Sequence, residues 1–285
     1  SALSTDFDSN ITQAQATLEF TGDDLKGVPN SFLEGDGVKT GNDTYSVKAN
    51  VTWHFINVME NAQSEATRRR MKEARYSLAG EKNAALLQSI LDLRTRIAHL
   101  LGYATWADYQ TEVKMAGNGD TALNFLKELK EGLQPKFDAE LETYRALKVQ
   151  ETGDPNARIH LWDWRYFSNQ LKKKEYNVDA EQLRVYFPYE QSLQGMFRIY
   201  ENMFGLQFNK MEPPYKWVDD LELYGVLDAE TGEPMGMFYL DMFPRDGKFN
   251  HFAQFGLIAG KEFGDGLYHR PCVALICNFP SPTED

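Results

Sequence analysis

Cysteine is scarce: the 285 residues hold two, Cys272 and Cys277. Both lie in CVALIC, where their spacing turns them to opposite faces of a strand and keeps them from pairing with each other. That excludes a disulfide framework and favours a reducing compartment, cytoplasmic with mitochondrial as the alternative, and both thiols read as small buried hydrophobes. Positive charge is short as well. With 30 Lys and Arg against 42 Asp and Glu, the formal net charge is −12, the wrong sign for a surface that tracks phosphates, so nucleic acid is not an expected partner. No apolar run approaches the roughly 18 residues that a membrane span needs, and SALSTDFDSN at the start has neither the basic nor the apolar region of a targeting signal. A membrane is therefore not an expected partner either. Sequons begin at Asn10, Asn42 and Asn50, but such tripeptides are common by chance and matter only in a secreted protein.

Local catalytic signatures are missing too. The histidines are His54, His99, His160, His251 and His269. No two stand at the i, i+4 spacing that lets one helix face hold zinc, and there is no HExxH. No G-x-S-x-G elbow occurs. GLIAGKE has only three residues between its glycines and lacks the closing Ser or Thr of a phosphate loop. Carboxylates are abundant, but abundance describes an acidic surface and does not show which two approach each other. No catalytic and no metal-ligating residue is assigned.

Apolar residues are not lacking. At 42% hydrophobic the chain can build a substantial core, and its periodicity divides it into two parts. Residues 1–150 read as a mainly helical segment with a short hairpin, and residues 151–285 as helices followed by a β-meander. Within the first part, Ser9 to Phe20 has a helical pattern and GDGVKTGNDTYSVKANV reads as the hairpin. Leu86, Ile90, Leu93, Ile97 and Leu100 define an amphipathic helix that Gly102 ends. Thr105 is an N-cap for WADYQTEVKMA, and Asp120 caps a long helix that Pro135 interrupts. ETGDPNAR is the best candidate for a linker or a change of layer.

In the second part, Trp162, Trp164, Tyr166 and Phe167 read as core before cleft lining, and KKKE at 172–175 reads as a solvated helix end. Asp179 caps a short helix, and Gly205 closes a helix that runs from Glu190 to Phe204. LELYGVLD, GMFYLDMF, FNHFAQFGL and CVALICNF then alternate as a four-stranded antiparallel meander. GMFYLDMFPRDGKFNHFAQFGL, from Gly236 to Leu257, reads as a hairpin around a Pro-Arg-Asp-Gly turn. In that register Asp241 comes near His251, but a single His on a sheet is more often a hydrogen-bonded structural residue, and no acid–base role is assigned.

The strand HFAQFGL offers something more specific. Backbone N–H and C=O groups on the last strand of a sheet can pair with any incoming main chain. Small Ala253 and Gly256 let another backbone come close, while Phe252 and Phe255 shape pockets. The candidate substrate-binding residues are His251, Phe252, Ala253, Gln254, Phe255 and Gly256. The plainer reading is an ordinary strand of a covered sheet.

RIHLWDWRYFSNQL, EYNVDAEQLRVYFP, GMFYLDMFPRDGKFNHFAQFGL and CNFPSPTED, in this order and with these gaps, resemble the thimet oligopeptidase and saccharolysin group of the M3 zinc metallopeptidases. The resemblance extends to EATRRRMKEARYSLAGEKNAALLQSILDLRTRIAHLLGYATWADYQTEVKMA and covers nearly the whole chain. It implies a mainly α fold with a small antiparallel β-sheet, part of a two-lobed body with a deep channel. There a short peptide lies extended beside a strand while zinc, held by HExxH and a downstream Glu, serves its hydrolysis. The chain departs from that pattern by stopping at Asp285, just past the Asn278–Pro280 stretch and before any zinc helix. The resemblance therefore implies an internal segment of a longer enzyme that alone hydrolyses nothing. Its expected partners are short peptides and the zinc-binding portion of the same enzyme. The competing reading is a non-catalytic module that binds peptides or proteins through the same sheet edge.

Overall fold

Helices start and stop where side-chain chemistry can satisfy their free backbone groups. The computed structural model describes residues 2–35, 37–245, 247–249, 251–264 and 266–279, with the backbone alone at Ala180 and Glu181. The chain forms two compact units, one of residues 1–50 and 54–177 and the other of residues 51–53 and 178–285. ETGDPNAR lies inside the first unit, where it ends one helix and turns the chain toward the next.

The first unit contains α1 (Ala2–Gln13), β1 (Thr17–Phe20), α2 (Asn30–Leu33), β2 (Tyr45–Lys48) and α3 (Thr52–Asn61), the last from His54 onward. After these come α4 (Glu65–Tyr76), α5 (Gly80–Leu100), α6 (Trp106–Thr111), α7 (Gly119–Thr152) and α8 (Trp164–Tyr176). Gly102, at φ 84°, takes the left-handed turn that ends α5. The Thr105 hydroxyl accepts from the Asp108 N–H at the start of α6. At α7 the cap is Asn118, whose side chain accepts from the Thr121 N–H, two residues before the expected Asp120. α7 continues through Pro135.

Two expectations at the N-terminal end are corrected. The helical pattern of residues 9–20 stops at Gln13, and Thr17–Phe20 forms a strand. β2 pairs with that strand in antiparallel register from Thr17↔Lys48 to Phe20↔Tyr45, while the hairpin expected within residues 35–51 is present only as the antiparallel bridge Lys39↔Tyr45 and the bonds from Thr40 N–H to Thr44 O and from Ser46 N–H to Val38 O. β-Branched and aromatic residues at Thr17 and Phe20 suit a half-buried strand, and long-range pairing outweighs the local helical period.

Around this small sheet Leu25, Val28, Phe32, Val47, Phe55, Val58, Met59 and Met71 are buried. His54 belongs to the same packing. Its Nδ1 accepts the Lys48 N–H at 3.2 Å, and its ring meets Phe32 edge-on at 5.1 Å. Burial, with the Lys48 charge adding to it, lowers the imidazole pKa to about 4. Between the ordinary histidine value and that one, the unfolded chain binds the proton first. Acidification through this window therefore destabilises the first unit, by at most about 3 kcal/mol, and the loss is complete below pH 4. An NMR titration of the His54 ring is expected to show its midpoint near pH 4, and a midpoint at or above 6.5 would refute this packing.

The second unit contains α9 (Ala180–Arg184), α10 (Tyr189–Phe204) and the strands β3 (Leu206–Met211), β4 (Glu222–Asp228), β5 (Pro234–Asp241), β6 (Ala253–Ile258), β7 (Lys261–Glu262), β8 (Tyr268–His269) and β9 (Cys272–Ile276). Gly205, at φ 63°, ends α10 and starts the turn into β3. Leu193 and Phe197 of α10 pack against Tyr224 and Leu240, joined by Phe208, Phe238 and Leu275. Phe197 stacks on Phe208 at 4.8 Å and meets Tyr224 at 4.9 Å. Cross-strand partners share a face of a pleated sheet, so this cluster defines the α10 side.

The fold class is mainly α with small sheets, as expected, but the strand order differs from the meander. The large sheet runs β3-β4-β5-β9-β6. β9 inserts between β5 and β6, parallel to β5 and antiparallel to β6. The predicted hairpin from Gly236 to Leu257 is therefore not formed by paired arms, and the proposed Asp241–His251 register disappears with it. Cys272 and Cys277 are both buried free thiols, raised in pKa by burial. Asp246 of the Pro-Arg-Asp-Gly turn, and Pro280 with the residues after it, lie outside the described residues.

Candidate functional site

β6 is an edge strand. Its register with β9 is Ala253↔Ile276, Gln254↔Leu275, Phe255↔Ala274 and Gly256↔Val273, with a bulge before Ile258↔Cys272. Among the described residues β6 pairs with β9 alone. In an antiparallel pair every second residue turns both its N–H and its C=O away from the partner strand. β6 thus carries a row of main-chain donors and acceptors on its outer side.

The six candidate residues fall on this strand and its approach. Ala253 is half-buried, and His251, Phe252, Gln254, Phe255 and Gly256 are exposed. His251 stacks on Phe252 at 4.6 Å, and Phe249 meets Phe255 edge-on at 6.0 Å. A Cβ added at Gly256 would meet nothing within 4 Å. The face of the strand is therefore open at Gly256.

Two polar devices hold the approach to β6, and neither was assigned from the sequence. The first is centred on Asp241, which is 2% exposed. Its carboxylate accepts from both terminal nitrogens of Arg245, at 2.8 and 2.9 Å, and from Trp217 Nε1 at 2.8 Å. Lys248 Nζ lies 2.8 Å from the same carboxylate and also donates to the main-chain oxygens of Asp241 and Phe243. Burial alone would raise the Asp241 pKa, but the bonds from Arg245, Lys248 and Trp217 outweigh it and hold the value at about 2. The second device is Asn278, whose Nδ2 donates to the carbonyls of Phe249 and His251 at 2.9 Å each. Just upstream, Cys277 N–H donates to Asp241 O at 2.8 Å. The available signals were an acid at the end of an apolar strand and an Asn directly after one, but their partners come from other segments.

A separate charged cluster braces the first unit. Asp163 is fully buried, with Arg68 Nη2 at 2.7 Å and Lys148 Nζ at 2.7 Å. Lys148 also meets Glu65 at 2.8 Å. The guanidinium of Arg68 donates to the carbonyls of Ala62 and Gln63 and lies 4.3 Å over the Tyr166 ring. Burial opposes ionisation of Asp163, but bonds from Arg68, Lys148 and the His160 N–H prevail and lower its pKa. Tyr166 and Phe167 are buried in this region, whereas Trp164 is exposed.

Glu65, His160 and Asp163 bring ligand atoms within 4.8 Å of one another, so this cluster is the place to ask whether the chain can hold a zinc ion. It does not fit. The Lys148 ammonium already bonds both carboxylates, and Arg68 takes the other Asp163 oxygen. A tetrahedral dication would have to displace a buried ammonium from its hydrogen bonds. These carboxylates are neutralised by side chains of the fold.

The sequence profile of Peptidase family M3 matches residues 58–285. Saccharolysin of Saccharomyces cerevisiae is 34% identical over an alignment of 301 positions covering 100% of this chain and 42% of that protein. A thimet-like oligopeptidase of Dictyostelium discoideum is 29% identical, with 97% of this chain and 42% of that protein aligned. Oligopeptidase A of Escherichia coli is also 29% identical, across 81% of this chain and 35% of that protein. The chain thus spans less than half the length of each of these relatives.

Proposed function

This chain belongs to peptidase family M3, and from that membership we propose that it is the non-zinc portion of an oligopeptidase acting on short peptides. In this reading the second unit supplies part of a substrate channel wall, and β6 holds the main chain of the peptide. The observation that carries it is the outer edge of β6, unpaired among the described residues, joined to relatives whose names describe oligopeptide hydrolysis. An extended peptide that adds to this edge gains main-chain hydrogen bonds whatever its side chains are, as a broad-range oligopeptidase requires.

What these residues do chemically is bind and orient. A peptide held as an added strand loses its rotational freedom before the reaction, and this fixes its scissile bond relative to the rest of the enzyme. The Asp241 and Asn278 devices keep the approach to β6 in place, so the edge is formed before substrate arrives. The zinc of the family enzyme, when bound, supplies Lewis-acid chemistry and an activated water. In this reading its ligands lie outside these residues, which contain no HExxH and whose Glu–His–Asp cluster, the one found among the described residues, is filled by Lys148 and Arg68. A cytoplasmic site of action, in a reducing compartment, accords with both cysteines being free thiols.

The test is to express the whole reading frame that contains these residues, and separately this chain, and to assay both on a quenched fluorescent oligopeptide with and without a zinc chelator. The expected result is cleavage by the former, abolished by the chelator, and none by the latter. Chelator-sensitive cleavage by this chain alone would overturn the assignment of the metal ligands elsewhere. Peptide binding by a reading frame that cleaves nothing would favour a non-catalytic binding module.

A further inference from the structure

The two faces beside the β6 edge differ, and a bulge makes them differ more than the sequence suggests. Phe255 lies opposite Ala274, and Ile258 lies opposite Cys272. Ala274 and Cys272 are two apart on β9 and so share a face of the sheet. Phe255 and Ile258 therefore share that face as well, although they are three residues apart. Regular alternation would put them on opposite faces. The extra residue of the bulge, Leu257, brings Ile258 round to the Phe255 side.

This face is the one away from α10. Leu223, Tyr239, Ala274 and Phe255 are aligned across β4, β5, β9 and β6, while the α10 side carries Tyr224, Phe238 and Leu240. Phe249 packs edge-on against Phe255, extending the apolar surface from the approach loop. Phe249, Phe255 and Ile258 are 46%, 44% and 46% exposed, so each has apolar area left to bury. On the α10 side of the same edge stand Gln254 and Gly256, an amide and a residue with open space where a Cβ would go.

We propose that β6 selects peptides by spacing, taking those with apolar side chains two residues apart. The proposal rests on the reading of β6 as the peptide-binding strand and names the substrate class for it. A strand added to β6 shares its pleat, so peptide residues i and i+2 lie over the ledge of Phe249, Phe255 and Ile258. Residue i+1 lies over Gln254 and Gly256. Apolar burial rewards the first pair, whereas the middle position admits polar or bulky residues at little cost.

The test measures fluorescence anisotropy of labelled heptapeptides added to this chain. Two peptides have the same composition, two leucines in a Ser/Thr background, with the leucines at spacing two in one and adjacent in the other. The spacing-two peptide is expected to bind about ten-fold more tightly. The difference is expected to shrink below about two-fold in the Phe255→Thr, Ile258→Thr double variant, whose changes are at exposed positions and favour strand. N-methylation of alternate peptide nitrogens removes the main-chain bonds and is expected to abolish binding. If N-methylation matters and spacing does not, the spacing inference is overturned and the strand reading survives. Binding that is indifferent to N-methylation, or no binding of any peptide, overturns both.

Discussion

Replacing Asp163 by Ala is expected to destabilise the first unit by about 3–5 kcal/mol, the cost of leaving partners of a buried ion pair unmatched. Arg68 and Lys148 converge on this carboxylate from α4 and α7, both almost wholly buried. Without Asp163 two positive charges remain, with main-chain carbonyls and Glu65 as their only acceptors among the described residues. Asp163→Asn keeps the shape and one acceptor, and should lose roughly half as much. Replacing Arg68, Lys148 and Asp163 together by Met, Met and Leu should cost far less than Asp163→Ala, because no charge is then stranded. Urea denaturation followed by limited proteolysis, with cleavage sites assigned to each unit, would measure this separately for the two units. A loss below 1 kcal/mol for Asp163→Ala would show that the buried triad is not what joins α4, α7 and the start of α8.

The second large effect is expected at Asp241. Asp241→Ala strands the buried ammonium of Lys248 and removes the acceptor of Trp217 Nε1 and of both Arg245 nitrogens. A loss of about 3 kcal/mol in the second unit follows, accompanied, on the proposal that β6 holds the peptide, by weaker peptide binding because the approach to β6 loses its anchor. The pH dependence has a definite sign. The folded pKa is about 2 and the ordinary aspartate value is near 4, so the folded state favours the ionised form. That contribution, about 2 kcal/mol, is fully present above pH 4 and is lost as the pH falls toward 2. Unfolding free energies of the parent chain and of Asp241→Asn should therefore converge between pH 4 and pH 2. A gap that persists unchanged down to pH 2 would assign the effect to packing and not to charge.

Features of this chain were legible in proportion to how local their physics is. Gly102, Gly205 and Thr105 announce helix boundaries because a left-handed turn or a side-chain cap is decided within four residues. Asn118 displaced Asp120 as the α7 cap for an equally local reason, since both can accept from a free N–H and only the backbone bend selects between them. The β6 strand was legible from its aromatic and small residues, but its position in the sheet was not. Whether Phe255 faces solvent depends on where Cys272–Ile276 pairs, and the run Cys-Val-Ala-Leu-Ile reads equally well beside β5, β6 or both. The arrangement of Arg68, Lys148 and Asp163 was hidden for a stronger reason. These residues are 80 and 15 positions apart, and no periodicity links them. The single cue was an acid inside LWDWRYF, where an unmatched charge among aromatics implies a partner without naming it.

The insertion of β9 between β5 and β6 has a consequence for the order of events during synthesis. β3, β4 and β5 are neighbours in sequence and in space, so they can pair as soon as they leave the ribosome. β6 has no such neighbour: it must wait, with both edges bare, until Cys272–Ile276 has been made. At about 5–20 residues per second that wait is on the order of a second, long compared with the microseconds in which a hairpin closes. The strand best suited to capture a foreign main chain is thus also the last to acquire its own, and the nascent chain passes through an interval in which self-association competes with completion of the sheet.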